Sequence, residues 1–158
     1  MCIRDRIYRA LKDIEPGHVL VIDGAGDPHN ALVGELIMLY AMQRGCAGFV
    51  IDGAIRDTRA FFEADFPCHA RSSTHRGPYK FGPGSMNRDV CVGGQVVHPG
   101  DVVVGDEDGV VCFDPADGER LLAAVAQTAR TEDAIKAEIA TGRVEQGWLD
   151  RTLSAHGL

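Results

Sequence analysis

Two short stretches of this chain hold the residue types best suited to chemistry. The first is Arg56-Asp57, which follows the apolar run at 48–51. An Arg at the carboxyl end of a strand offers a carboxylate two parallel N–H donors, and an adjoining Asp offers a hard oxygen ligand for Mg²⁺. The same pair also suits a plainer role, with Asp57 capping a helix that begins at Thr58 and Arg56 lying on the surface. The second stretch is Gly34-Glu35-Leu36, at the start of a helix that follows a glycine-rich segment. The unpaired backbone N–H groups of a helix entrance form a cradle for a carboxylate or phosphate. Here too a plainer reading stands beside it, in which Glu35 simply complements the helix dipole.

Other polar groups fit chemistry less well. Gly24-Ala25-Gly26 resembles a dinucleotide loop only in part, because His29 stands where a third glycine belongs. Asp101 and the run Asp106-Glu107-Asp108-Gly109 fall at turns between short strands, so Asp106 and Asp108 read as structural. His69 and His75 lack the spacing of a helical zinc pair, and His18, His29, His98 and His156 read as loop or surface residues. Cys68 and Cys91 read as strand packing.

These candidates have to be positioned by a mixed α/β chain. Apolar spacing predicts a helix over 7–14, a strand over 18–22, a loop over 23–28 and a helix over 31–44. A buried strand at 48–51 and a helix over 58–64 follow. Beyond Pro67 the pattern changes to short strands at 68–71, 90–97, 102–104 and 110–113, with turns at Pro99-Gly100 and Asp108-Gly109. The segment 71–88 is a long loop of the kind that carries function. From Pro115 a long helix runs to a stop near Gly142.

Composition bounds the rest. A chain of 158 residues with 45% hydrophobic residues builds one ordinary core. With 23 acidic against 16 basic residues the formal charge is −7, which excludes a diffuse basic surface for nucleic acid. A small anionic substrate then needs a few local cations or a metal. No apolar run approaches a membrane span, and the mean hydropathy is −0.07. Five scattered cysteines without a C-x-x-C pair point to a reducing, cytoplasmic setting. Residues 1–6 look like a translated adapter tag and are set aside. One domain is expected over 7–142, with a tail over 143–158.

Three motifs in order, Gly34-Glu35-Leu36, Arg44-Gly45-Cys46-Ala47-Gly48 and Asp52-Gly53-Ala54-Ile55-Arg56-Asp57, resemble the 4-hydroxy-4-methyl-2-oxoglutarate / 4-carboxy-4-hydroxy-2-oxoadipate aldolases and their relatives, the regulators of ribonuclease E activity. Gly93-Gly94, His98-Pro99-Gly100-Asp101 and Asp106-Glu107-Asp108-Gly109-Val110 continue the resemblance, which covers about residues 11–114. It implies a β/β/α swivelling-domain fold with flanking helices, and a homotrimer or a hexamer of two trimers. It implies a class II, metal-dependent pyruvate aldolase that uses Mg²⁺, with Mn²⁺ able to replace it. The implied reaction is retro-aldol cleavage to pyruvate plus a keto acid, with decarboxylation of oxaloacetate through the same enolate.

Under that resemblance Asp57 is the direct metal ligand and Glu35 reaches the metal through water. Arg56 grips the pyruvyl oxygens, and backbone N–H groups around Gly34, Leu36 and Ile37 receive the carboxylate. The implied partner is a small 2-keto acid, with neither nucleic acid nor membrane. Relatives carry a further stretch ahead of the point matching this chain's beginning, so the chain reads as N-terminally truncated. The ribonuclease regulators, which usually lack the Asp after the Arg, are the alternative: a binding module without catalysis. Asp57 favours the enzyme.

Overall fold

The computed structural model describes residues 3–78, 84–142 and 147–157. The chain divides into two compact units, one through Pro115 and one from Ala116.

In the first unit, helix α1 (Ile3–Asp13) leads to strand β1 (Val19–Val33), helix α2 (Glu35–Met42) and strand β2 (Gly48–Ile55). Helix α3 (Thr58–Glu63) and strand β3 (Cys68–Ser73) complete a βαβαβ sequence whose three strands lie parallel in the order β1-β2-β3. A parallel pair needs a crossover, which α2 and α3 supply. The central strand is buried at all eight positions, as its near-continuous apolar sequence requires. Phe49 on β2 packs edge-on against Phe66 at 4.9 Å and against Phe61 of α3 at 6.2 Å. Ile7 and Leu11 bring α1 onto the same core, and Ile37, Met38 and Ala41 bring α2. Each such side chain contributes about 1.5–3 kcal/mol by leaving water.

Two of the sequence expectations for this region need correction. The loop expected over 23–28 lies inside β1, which runs on alongside β2 through register shifts between Asp23 and Asp27, Asp27 and Ala31, and Ala31 and Val33. Polar turn residues are accommodated there as bulges, so pairing resumes instead of ending. The helix expected over 31–44 accordingly begins only at Glu35, because Ala31, Leu32 and Val33 are the buried last residues of the strand.

The later strands form two antiparallel hairpins, β4 (Val90–Val92) with β5 (Gln95–Val97), and β6 (Val102–Gly105) with β7 (Val110–Phe113). The single strand expected over 90–97 is in fact a hairpin. Gly93 and Gly94, at φ +60° and +83°, make the two-residue turn, for which both central residues need the left-handed region. The turn expected at Asp108-Gly109 is present, and Asp106 Oδ1 accepts the N–H groups of Asp108 and Gly109, a structural use of that carboxylate.

The first hairpin is tied to the sheet by two carboxylates. Asp23 and Asp52 are register partners on β1 and β2. Asp23 Oδ2 accepts the N–H of Cys91 at 3.4 Å, and Asp52 Oδ2 accepts that of Gly93 at 3.1 Å. Asp52, buried at 6% exposure, also pairs through Oδ1 with Nε of Arg71 on β3. The Arg71 guanidinium, helped by the Gly93 N–H, holds the Asp52 carboxyl below the ordinary carboxylate range against the opposing effect of burial.

After a 3₁₀ turn at Pro115–Asp117, the second unit holds α4 (Gly118–Ala140), which ends close to the expected stop at Gly142. Helix α5 (Gly147–Ala155) follows. Among the described residues no helix is long and apolar enough to cross a membrane.

Candidate active site

The carboxyl ends of β1, β2 and β3 lie along one edge of the sheet, where ligands of open parallel sheets are bound. Strand β1 ends at Val33, and Gly34 follows as the N-cap of α2. Strand β2 ends at Ile55, and Arg56 and Asp57 follow; the Arg56 N–H donates to the carbonyl of Val33 at 3.1 Å. The two stretches singled out in the sequence are therefore brought together.

Their approach is close. Gly34 has an extended backbone (φ −157°, ψ −168°) open to any residue, so its glycine is a matter of space. A Cβ at that position would lie 2.5 Å from Asp57 Oδ2, 2.8 Å from Arg56 Cγ and 2.9 Å from Arg56 Nε. The absent side chain is thus the volume that the Arg56 and Asp57 side chains occupy.

Asp57 sits in the left-handed region (φ 58°, ψ 37°), which Asp tolerates better than most residues. It occupies the N-cap position of α3, yet its side chain makes no capping bond there. Instead Oδ2 accepts the N–H of Glu35, the first residue of α2, at 3.1 Å, and lies 3.5 Å from Arg56 Nε. Among the described residues Oδ1 has no hydrogen-bond partner. The Asp57 and Arg56 side chains are 43% and 45% exposed, so both face water.

The remaining predicted residues divide. Glu35 and Leu36 are exposed at the helix entrance. Ile37 is in the core at 7% exposure, and its N–H donates to the carbonyl of Gly34, turned inward.

Arg56 and Asp57 line an open cleft of ≈ 430 Å³ together with Thr58, Ser73, Thr74 and His75. The last three lie at and just past the end of β3, and residue types alone do not group them with Arg56. The signal that could have found them is topological, since the segments leaving the carboxyl ends of adjacent parallel strands emerge at one sheet edge. Burial pushes the Cys68 thiol up to about 12, away from the thiolate that a nucleophile needs.

Comparison with known proteins identifies the class. Residues 2–112 match the RraA-like family, Aldolase/RraA, and the chain belongs to that family. It is 40% identical over 116 residues to a Halalkalibacterium halodurans protein named "Putative 4-hydroxy-4-methyl-2-oxoglutarate aldolase", covering 73% of this chain and 55% of that one. The chain thus spans about half the length of that curated relative. Similar solved structures include two from thermophiles. One, from Geobacillus kaustophilus, is described as an S-adenosylmethionine:2-dimethylmenaquinone methyltransferase; it is 35% identical, with TM-score 0.64 and coverage of 67% of this chain and 66% of that chain. The other, the RNA-processing inhibitor RraA from Thermus thermophilus, is 34% identical, with TM-score 0.61 and coverage of 68% and 66%. The expected fold class is therefore found: a mixed α/β, RraA-like fold with a parallel sheet and flanking helices.

Proposed function

We propose that this domain carries the site of a metal-dependent lyase acting on 2-keto acids. The reaction is retro-aldol cleavage of 4-hydroxy-4-methyl-2-oxoglutarate or 4-carboxy-4-hydroxy-2-oxoadipate to pyruvate and a keto acid, with decarboxylation of oxaloacetate as a second activity. The observation that carries this reading is the packing of Arg56 and Asp57 into the volume vacated by Gly34, at the mouth of a polar cleft. The name of the Halalkalibacterium relative supports the same chemistry.

The donor set fits a hard divalent cation, Mg²⁺ or Mn²⁺. Asp57 offers Oδ1 at the wall of an open cleft, and Mg²⁺ keeps several of its waters. Among the described residues no cluster of three His, Cys, Asp or Glu could hold a metal alone. Asp57 would be the direct ligand, and Glu35 would reach the ion through a water. Such an ion supplies Lewis-acid stabilisation of the charge that develops on the keto oxygen.

The chain's own groups do the rest. Arg56 grips the pyruvyl carboxylate with parallel N–H donors and counters the growing negative charge. The backbone at Gly34 and the Leu36 N–H at the entrance of α2 help seat the carboxylate, whereas the Ile37 N–H is already committed to Gly34. Gly34 keeps the clamp and the carboxylate in register. Assembly as a trimer or hexamer and a cytoplasmic location belong to the same reading.

The test is pyruvate release from oxaloacetate and from 4-hydroxy-4-methyl-2-oxoglutarate by the purified chain, with Mg²⁺ and then with excess chelator, beside Asp57→Ala. Release that requires both the metal and Asp57 is expected. A second reading, a binding module without catalysis, draws on the similarity to the Thermus inhibitor. It predicts a folded protein that releases no pyruvate under any of these conditions.

A further inference from the structure

Retro-aldol cleavage needs one more group than Arg56 and Asp57 provide. A hydroxyl proton has to leave as the carbon–carbon bond breaks, and a proton has to arrive on the enolate carbon. Arg56 stays charged throughout, and Thr58, Ser73 and Thr74 are hydroxyls that do not ionise near neutrality. With Asp57 assigned to the metal, His75 is the residue lining the cleft whose side-chain type serves in catalysis as both proton acceptor and proton donor.

His75 is also held in place. The Thr74 N–H donates to the carbonyl of Ile55 at 2.9 Å, which ties the residue before it to the end of β2. The Ala31 N–H donates to the carbonyl of Arg76 at 2.8 Å, which ties the residue after it to β1. The Arg76 N–H reaches back to Thr74 Oγ1 at 3.4 Å. Two residues beyond His75, a Cβ on Gly77 would lie 3.8 Å from Arg56 Nη1, so this stretch passes beside the guanidinium. The His75 side chain itself is exposed at the cleft, and the anchorage is that of its backbone neighbours.

We propose that His75 ferries the proton within the retro-aldol reaction. A neutral ring nitrogen accepts the proton of the C4 hydroxyl. The C3–C4 bond breaks, C4 becomes a carbonyl, and the bonding electron pair passes into the pyruvate enolate. The imidazolium then returns the same proton to C3, so no net proton is taken up or released. Oxaloacetate has no such hydroxyl: its C3–C4 bond breaks with loss of CO₂, and C3 takes its proton from solvent. His75 therefore bears more heavily on aldol cleavage than on decarboxylation.

This assignment rests on the lyase reading, and the two substrates separate their failures. Both reactions are measured for the wild type and His75→Gln across pH 5–9. Expected is a loss of roughly 10²-fold or more in aldol kcat, well beyond the loss in decarboxylation. Equal losses in both reactions, or none in either, would overturn the ferry while leaving the lyase standing. A wild type active on neither substrate would overturn the lyase reading.

A second readout does not depend on turnover. The imidazole proton signal of His75, assigned by its loss in His75→Gln, is followed by NMR as oxalate, a stable analogue of the enolate, is added with and without Mg²⁺. A signal that moves with oxalate supports His75 at the ligand. One that stays still overturns the proposal.

Discussion

Asp52 lies within the central strand β2 and Asp57 just past its carboxyl end, five positions on, yet their surroundings are opposite. Asp52 is buried, and both of its oxygens are engaged, one by Arg71 and one by the Gly93 N–H. Asp57 is 43% exposed, its contacts fall on Oδ2, and Oδ1 is turned to no described residue. A buried carboxylate with both oxygens engaged holds structure, because exchanging either partner costs a buried hydrogen bond. One that is anchored by a single oxygen and faces a cleft is oriented without being used up. Environment, more than residue type, separates the two roles.

The widest separation comes from crossing two variants. Asp57→Ala should lower metal-dependent pyruvate release by about 10²-fold or more, with little change in melting temperature. Asp52→Ala should do the reverse. It leaves Arg71 and Gly93 without their acceptor and should cost about 1–3 kcal/mol in denaturant unfolding, with turnover per folded molecule retained. A variant of Asp57 that unfolds, or of Asp52 that inactivates a folded protein, would break the division.

Gly34→Ala sharpens it. The added methyl group falls within 2.9 Å of both Arg56 and Asp57, so the clamp has to move. Activity should fall at least about tenfold, and stability by about 1–3 kcal/mol, read by kinetics and by urea unfolding in parallel. Unchanged kinetics would show that the two side chains can re-seat without loss.

Acid provides a milder probe. The Asp52 carboxyl is held below its unfolded value of about 3.9, so between the two values the unfolded chain binds more protons. Its stabilisation is complete above that range and is lost as pH falls through the folded value. Asp52→Ala should flatten this limb of the stability profile. The smallest effect is expected at His98, whose Nδ1 lies 2.9 Å from Asp89 Oδ1 and whose titration is raised by Asp89, with further help from Asp101 and Asp114. Its contribution is present below the ordinary imidazole value and lost as pH rises through the folded one. His98→Gln should remove that slope, and a retained slope would assign it elsewhere.

Local pattern made some of this legible and long-range contact made the rest invisible. Strand β2 is readable because burial on both faces demands an unbroken apolar run. Arg56-Asp57 is readable because its position after such a strand has a known use. The inclusion of residues 23–30 in β1 is not, since Gly, Asp and Pro carry turn chemistry and only pairing with β2 overrides it. Gly34 looks like an ordinary cap until Arg56 and Asp57, remote in the chain, are seen to fill the place of its missing side chain. Asp52 hides for the same reason, with Arg71 and Gly93 lying 19 and 41 residues away.

The left-handed backbone at residue 57 has a bearing on which side chains the position accepts. Asn suits φ 58° at least as well as Asp, and its amide oxygen would still accept the Glu35 N–H. Folding therefore exerts little pressure to keep a negative charge at this site. Asn in place of Asp57 should cost little in stability, whereas Gly would lose the acceptor of the Glu35 N–H. The backbone alone therefore leaves the choice between aspartate and asparagine at 57 open.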